Sequence, residues 1–368
     1  MPSSSTEAPK RSSPAANVLL AVLSTAVLFL LIEGFASVLM SARVAKHTLY
    51  MREESHSQYD ADLGWSHRPG LRFEDLYGEK SAFTTNAQGF RARENFERAV
   101  PAGKYRVVAL GDSYTMGYGV GDDSTYPARM QAACPVLQTV NMGQGGYGVD
   151  QDYLWYKRDG AKLDANLLVF AVIAHDFYRM SADNFIGYAK PVLRVKNQAL
   201  AIENVPVPAT WGSRTTMKRL RAFFESFAIV RAGRWLLGRG AAETADPFYG
   251  RVSDEVLAAA GLAFDDLAAL SKSRNQGFAL VYLPISALLD KEPTREAAWL
   301  EAYARKNDVA FLNLVPEFKA LSAGDFARMF RPDNHYTDEG NRFVAAAILR
   351  GLARQVPGFP ECGTRRTP

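Results

Sequence analysis

Histidine and cysteine, the usual metal-binding side chains, are scarce in this chain of 368 residues: five of the first and two of the second. Cys134 and Cys362 have no metal-ligand spacing, and His47, His56, His67, His175 and His335 make no His-x-x-x-His pair. A structural zinc site is not expected, no cofactor is called for, and chemistry must come from serine, histidine and carboxylates. Excess charge is also small, a formal +4 with no basic run. Without an RNA- or DNA-binding signature, nucleic acid is excluded as an expected partner. There is no low-complexity core: 48% hydrophobic and 22% charged residues are ordinary globular proportions. The length suits one large domain, with or without appendages.

The N-terminus is distinctive. Residues 1–16 are rich in Ser, Pro and Ala and read as a disordered tail. Residues 17–40 are mainly apolar, interrupted by Glu33, and supply the about 20 residues a spanning helix needs. A carboxylate near one end of such a helix can reach the headgroups or take up a proton. The competing reading is a cleaved signal peptide ending near Ala42. Its apolar core is long for a signal, and Met40 stands where a small residue belongs, so an uncleaved transmembrane anchor is expected. Lys10 and Arg11 precede the segment while Arg43, Lys46 and Arg52 follow it, so charge does not orient it.

Residues 41–103 read as a connector or accessory segment, with Trp65, Phe83 and Phe90 as docking points. From 104 to 357 the pattern is regular. Apolar runs predict strands at 105–110, 136–141, 167–173, 278–283 and 309–314. Helices are expected at 125–133, 149–162, 255–273, 294–306 and 338–355. This alternation predicts a parallel sheet covered on both sides, with its active site at the carboxyl ends of the strands. Residues 177–250 interrupt it as an insertion: 191–208 reads as a β hairpin and 214–239 as a basic amphipathic helix. That helix would be a cap packed on the domain, or a lid touching lipid or an acyl chain. Residues 358–368 form a C-terminal tail.

Four groups fall at strand ends. Ser113, in Gly111-Asp112-Ser113-Tyr114-Thr115, follows the first expected strand, where glycines permit a tight turn that exposes a hydroxyl. A serine hydroxyl needs a base to become a nucleophile. His335, in Arg331-Pro332-Asp333-Asn334-His335-Tyr336-Thr337, is that base candidate, and Asp333 can accept its other ring proton. Thr337 or Asp338 is the better cap for the following helix, which leaves His335 available. The glycines of Asn141-Met142-Gly143-Gln144-Gly145-Gly146-Tyr147-Gly148 offer amides to an oxyanion, or merely connect strand to helix. His175 follows the third expected strand.

Together these blocks resemble the SGNH/GDSL hydrolase superfamily over roughly residues 104–355, outside the insertion. The resemblance implies a flavodoxin-like three-layer α/β/α sandwich, with Ser113 as nucleophile and His335 as catalytic histidine. It also implies an oxyanion hole from the amides of Ser113 and Gly146. Where that family has Gly-x-Asn-Asp, this chain has Ile173-Ala174-His175-Asp176, so His175 stands where an asparagine donor belongs. A ring N–H can donate in its place if the tautomer is right; the other reading is an inactive site. Many relatives carry Asp three residues before the histidine, but here that residue is Pro332 and Asp333 is two before.

Asp62-Leu63-Gly64-Trp65 and Thr85-Asn86-Ala87-Gln88-Gly89-Phe90-Arg91, after a membrane segment with a late Glu, resemble a bacterial subgroup with an exported catalytic domain. That implies an extracytoplasmic, anchored enzyme acting on an ester-bearing small molecule, lipid or glycan, an acyl or O-acetyl ester above all. A polysaccharide O-acetyltransferase with the same triad, and an inactive binding module, are the alternatives. In the implied topology Cys134 and Cys362 both lie at the bottom edge of the sheet, so a disulfide between them is expected.

Overall fold

The structure, a computed structural model, describes residues 14–47, 53–209 and 252–362. The chain divides into two compact units, one of which comprises Glu53–Ser213 with Asp246–Pro368. The other contains helix α1 (Pro14–His47). Its Asn17–Gly34 stretch has a mean hydropathy of 2.1 and is long and apolar enough to cross a membrane, a property that N-terminal signal sequences share. The helix opens on Pro14, whose missing amide proton costs nothing in a first turn. The tail before it and the amphipathic segment at 214–239 lie outside the described residues.

Five parallel strands form the sheet of the larger unit: β1 (Tyr105–Gly111), β2 (Leu137–Gly143), β3 (Leu167–Val172), β4 (Gly277–Tyr282) and β5 (Ala310–Asn313). Their order is β5-β4-β3-β1-β2, all pairs parallel, with Val107 beside Leu167 and Ala279 beside Val169. This is the flavodoxin-like order. The central strand β3 is Leu-Leu-Val-Phe-Ala-Val, and every residue of it is buried. A strand covered on both faces has no polar side to show. Each large side chain so buried contributes about 1.5–3 kcal/mol. Winding runs from β1 outward to β2 on one side and to β3, β4 and β5 on the other. The reversal opens a crevice beyond the carboxyl ends of β1 and β3, where such folds bind ligands.

Helices cover both faces: α2 (Ser113–Met116), α3 (Tyr126–Ala133), α4 (Val149–Arg158), α5 (Ala174–Arg179), α6 (Asp254–Ser273), α7 (Arg295–Asn307) and α8 (Asp338–Gln355). The side chains of Thr125, Ser253, Thr294 and Thr337 cap α3, α6, α7 and α8 by accepting first-turn amides. Helices α3 and α8 pack together, while α6 packs with α4 and α7. Buried Asn341 joins the first pair: its Oδ1 accepts from Tyr126 N at 3.0 Å. At the other end Cys134 and Cys362 form a disulfide.

Two expectations are adjusted. Helix α4 stops at Arg158, where the Asp159 amide donates to Trp155 O at 2.8 Å, and a separate turn covers Gly160–Lys162. The hairpin expected within 191–208 pairs Val192–Lys196 with Ala199–Glu203.

Residues 53–100 pack into the same unit, and Trp65, Phe83 and Phe90 are all buried there. Trp65 Nε1 donates to Gly145 O at 2.9 Å, and the Tyr147 hydroxyl donates back to Trp65 O. Buried Arg91 lies over the Phe83 ring and pairs with Asp122. Its Nη1 donates to Met116 O at 2.6 Å and Gly117 O at 2.7 Å. The N-terminal segment thereby satisfies the carbonyls at the end of α2, which a one-turn helix leaves open.

Candidate active site

The turn carrying Ser113 is built by contacts at single glycines. Gly111 ends β1 with φ +153°, and a Cβ there would lie 2.4 Å from both Ala171 O and Thr115 Oγ1. Gly143 ends β2, where a Cβ would come within 1.9 Å of Met116 N. Only glycine lets the two strand ends and α2 approach so closely. Asp112 caps α2, its Oδ1 accepting from Tyr114 N at 2.9 Å. Asn141 steadies the turn from β2 by donating from Nδ2 to Thr115 O at 3.0 Å. Ser113 thus sits at a strand end, 5% exposed at the floor of the crevice.

His335 arrives on a narrow loop between the short helix Ala323–Met329 and α8. Met329 O accepts from Thr337 N at 2.9 Å and His335 O from Arg331 N at 2.8 Å, leaving Pro332, Asp333 and Asn334 at the tip. Asn334 takes φ +71°, a left-handed value that Asn tolerates better than most residues. The hydroxyl of Tyr114 donates to Asn334 O at 2.8 Å, tying the loop to α2. The His335 ring lies between Tyr118 and Tyr114, with centroids 4.5 Å and 5.0 Å away.

His335 Nε2 is 2.9 Å from Ser113 Oγ, and its Nδ1 is 3.3 Å from Asp333 Oδ1. The neutral tautomer consistent with both contacts has the proton on Nδ1, donated to Asp333, and Nε2 accepting from the serine. Asp333 Oδ1 also accepts from His335 N at 3.1 Å, and Arg331 Nε lies 3.4 Å from Oδ2. Burial would raise the Asp333 carboxyl, but its hydrogen bond to His335, the charge there and Arg331 together hold it below the ordinary range. It is therefore a carboxylate at neutral pH.

The remaining two expected groups follow the carboxyl ends of β2 and β3. Gly146 has φ +76°, and a Cβ there would meet Phe185 at 2.6 Å, with Trp65 beyond at 3.5 Å. The Gly146 backbone is thus roofed by an aromatic from the insertion and one from the N-terminal segment. His175 is the second residue of α5, partly buried, and near enough to His335 and Arg179 to feel their charge. Burial first, then the Arg179 cation and the neighbouring His335 ring, push its pKa down to about 3. Its ring is neutral at physiological pH and carries one N–H.

Three features have no counterpart in the sequence reading. Tyr114, in the one-turn helix α2, and Tyr118, just beyond its Gly117 cap, line the histidine, and so short a stretch has no period to announce which way a tyrosine faces. Arg91 reaches the end of α2, although its place in the Gly89-Phe90-Arg91 run was visible. Arg179 Nη1 donates to Asp112 Oδ2 at 2.9 Å and Asp176 Oδ1 at 2.7 Å, joining two elements that the sequence keeps apart.

No family model matches the sequence, and no curated protein matches it significantly. Solved structures do. A member of the lipolytic protein G-D-S-L family from Veillonella parvula aligns with 68% of this chain and 99% of its own, at 12% identity and a TM-score of 0.38. A GDSL-like lipase from Bacteroides thetaiotaomicron covers 70% and 92%, at 14% identity and 0.40. A mutant acetyl-xylooligosaccharide esterase from Geobacillus covers 67% and 94%, at 13% identity and 0.39. With such distant similarity, the functional reading rests on the geometry of the site.

Proposed function

We propose that this chain is a serine esterase or deacylase of the SGNH/GDSL type, anchored by its N-terminal helix and acting outside the cytoplasm. One observation carries the reading: the Ser113 hydroxyl lies 2.9 Å from His335 Nε2, whose other nitrogen faces the Asp333 carboxylate. A base within hydrogen-bond reach of a hydroxyl, oriented by a carboxylate, is the arrangement that makes serine a nucleophile.

In this mechanism His335 takes the Ser113 proton as Oγ attacks the ester carbonyl. Asp333 holds the ring in the productive tautomer and stabilises the imidazolium. The negative charge that develops on the carbonyl oxygen is met by the amides of Ser113 and Gly146 and by a ring N–H of neutral His175. His335 then protonates the leaving alcohol, and water, activated by the same base, releases the acid. The substrate class is an acyl or O-acetyl ester of a small molecule, lipid or glycan.

The location has two supports. Residues 17–34 are apolar enough to span a membrane, and a Cys134–Cys362 disulfide belongs to an oxidising compartment. N-terminal sequencing of the mature protein tests the anchor: a start near residue 43 would replace it with a cleaved signal. The chemistry is tested with a fluorophosphonate probe on the full chain. Labelling that disappears in Ser113→Ala supports the reading, and an unlabelled wild type sinks it.

A further inference from the structure

We propose that Arg179 is the positioning residue of the reaction centre, holding in register the three loops that carry Ser113, Gly146 and His175; this rests on the serine-hydrolase reading above. A single nitrogen makes the link. Arg179 Nη1 lies 2.9 Å from Asp112 Oδ2, 2.7 Å from Tyr147 O and 2.7 Å from Asp176 Oδ1. Those acceptors are not scattered. Asp112 immediately precedes Ser113, Tyr147 immediately follows Gly146, and Asp176 immediately follows His175. Each loop is gripped one residue from the group the chemistry uses.

The grip passes into backbone at two of the three points. Asp112 Oδ1 accepts from Tyr114 N at 2.9 Å, so its pairing with Arg179 fixes the start of α2. Asp176 Oδ2 accepts from Ile173 N at 2.9 Å, which ties the end of β3 to α5 and sets where His175 emerges. Gly148 makes the approach possible, since a Cβ there would lie 2.8 Å from Asp176 O and 3.1 Å from Arg179 Cβ.

The environment strengthens these bonds. Arg179 is 7% exposed and lies under the Phe185 ring, 5.1 Å from its centroid. Hydrogen bonds to a charged donor are stronger when water is excluded. Asp112, Asp152 and Asp176 all face this one cation, and Asp150, next to Asp152, has Lys190 as its own partner. Burial first, and then the neighbouring carboxylates, push Asp152 and Asp176 upward from the usual carboxylate range, and the Arg179 charge opposes that shift. Removing the guanidinium leaves Asp112 and Asp176 facing each other without a cation. The loops then lose their common tether, and a displacement of about 1 Å costs roughly 10²-fold in rate.

The test uses Arg179→Gln and Arg179→Lys in the full chain, with three readouts: the rate of fluorophosphonate labelling, kcat and KM for p-nitrophenyl acetate, and the thermal midpoint. The expected result is labelling and kcat lower by about 100-fold in Arg179→Gln, with KM changed by less than about threefold. The lysine variant, which keeps the charge, should recover about tenfold of that loss. A folded variant that labels at the wild-type rate, or whose loss lies wholly in KM, overturns the proposal. Failure of both variants to fold also overturns it, because Arg179 would then be structural. An unlabelled wild type would instead defeat the hydrolase reading itself, so the two failures are distinguishable.

Discussion

His335 Nε2 stands 2.9 Å from Ser113 Oγ across 222 residues of sequence. The contact exists because β1 ends under Ser113 while the loop before α8 folds back over the same sheet edge. Tyr114 secures it by donating its hydroxyl to Asn334 O at 2.8 Å. Replacing either partner should remove the function without disturbing the sheet. Ser113→Ala and His335→Ala are each expected to lower p-nitrophenyl acetate hydrolysis by at least about 10³-fold. Circular dichroism should be unchanged. Activity within tenfold of wild type in either variant would exclude a serine mechanism.

Asp333 acts one contact further from the reacting atoms. Asp333→Asn keeps the size but offers the ring an amide, which no longer stabilises the imidazolium. A fall in kcat of about 10²–10⁴-fold is expected, measured with the same ester. Because the fold lowers the Asp333 pKa, its charge contributes stability above the unfolded carboxyl value near 4. That contribution is lost as pH falls through the lowered folded value. The gap in thermal midpoint between wild type and Asp333→Asn should therefore be present at pH 7 and shrink toward pH 3.

His175 separates donor chemistry from simple space filling. His175→Asn retains a side-chain N–H donor and should keep or raise esterase activity, whereas His175→Ala should cost about 10²–10³-fold in kcat. Since the ring titrates at about 3, the pH–rate profile should keep its shape in the Asn variant. Stability moves differently. Between pH 6.5, the ordinary histidine value, and about 3, the unfolded chain binds a proton that native His175 refuses. Acid therefore destabilises the wild type through this residue, and His175→Asn should gain thermal midpoint relative to wild type at pH 5 compared with pH 8. Equal activity in wild type and His175→Ala would remove His175 from the oxyanion site.

The Cys134–Cys362 bridge closes a loop with a sequence separation of 228. In the chain-entropy model such a loop contributes about 5 kcal/mol, and less in practice. Protein kept unreduced should show no free thiol by titration, and Cys134→Ser with Cys362→Ser should lower the unfolding free energy by about 2–5 kcal/mol. Two titratable thiols in the unreduced protein would contradict the bridge.

Gly143→Ala probes the close approach at the ends of β1 and β2. A methyl group there meets Met116 N, a backbone atom that cannot swing aside. The expected cost is about 2–4 kcal/mol in stability, together with loss of fluorophosphonate labelling, because α2 must shift and carries Ser113 with it. Labelling at the wild-type rate would show that the turn has slack.

Much of this was legible along the chain, because the signals are local. Apolar runs such as Leu-Leu-Val-Phe-Ala-Val identify a strand covered on both faces before any partner is known. Thr337 marks the start of α8 by the chemistry of helix caps. From such signals alone came the alternating strands and helices, the glycine-lined turn at Ser113, and the placement of Ser113, Gly146, His175 and His335 at one sheet edge. What needed tertiary structure was long-range or too short to have a period. Helices α2 and α5, of four and six residues, are too short for an amphipathic repeat. The strand order β5-β4-β3-β1-β2 depends on which strands meet, and it puts Ser113 and His175 beside one crevice. The sharing of Arg179 among Asp112, Tyr147 and Asp176 depends on three loops converging on one buried cation. Local chemistry is written in neighbouring residues, whereas which buried charges meet is decided only when the chain has closed around them.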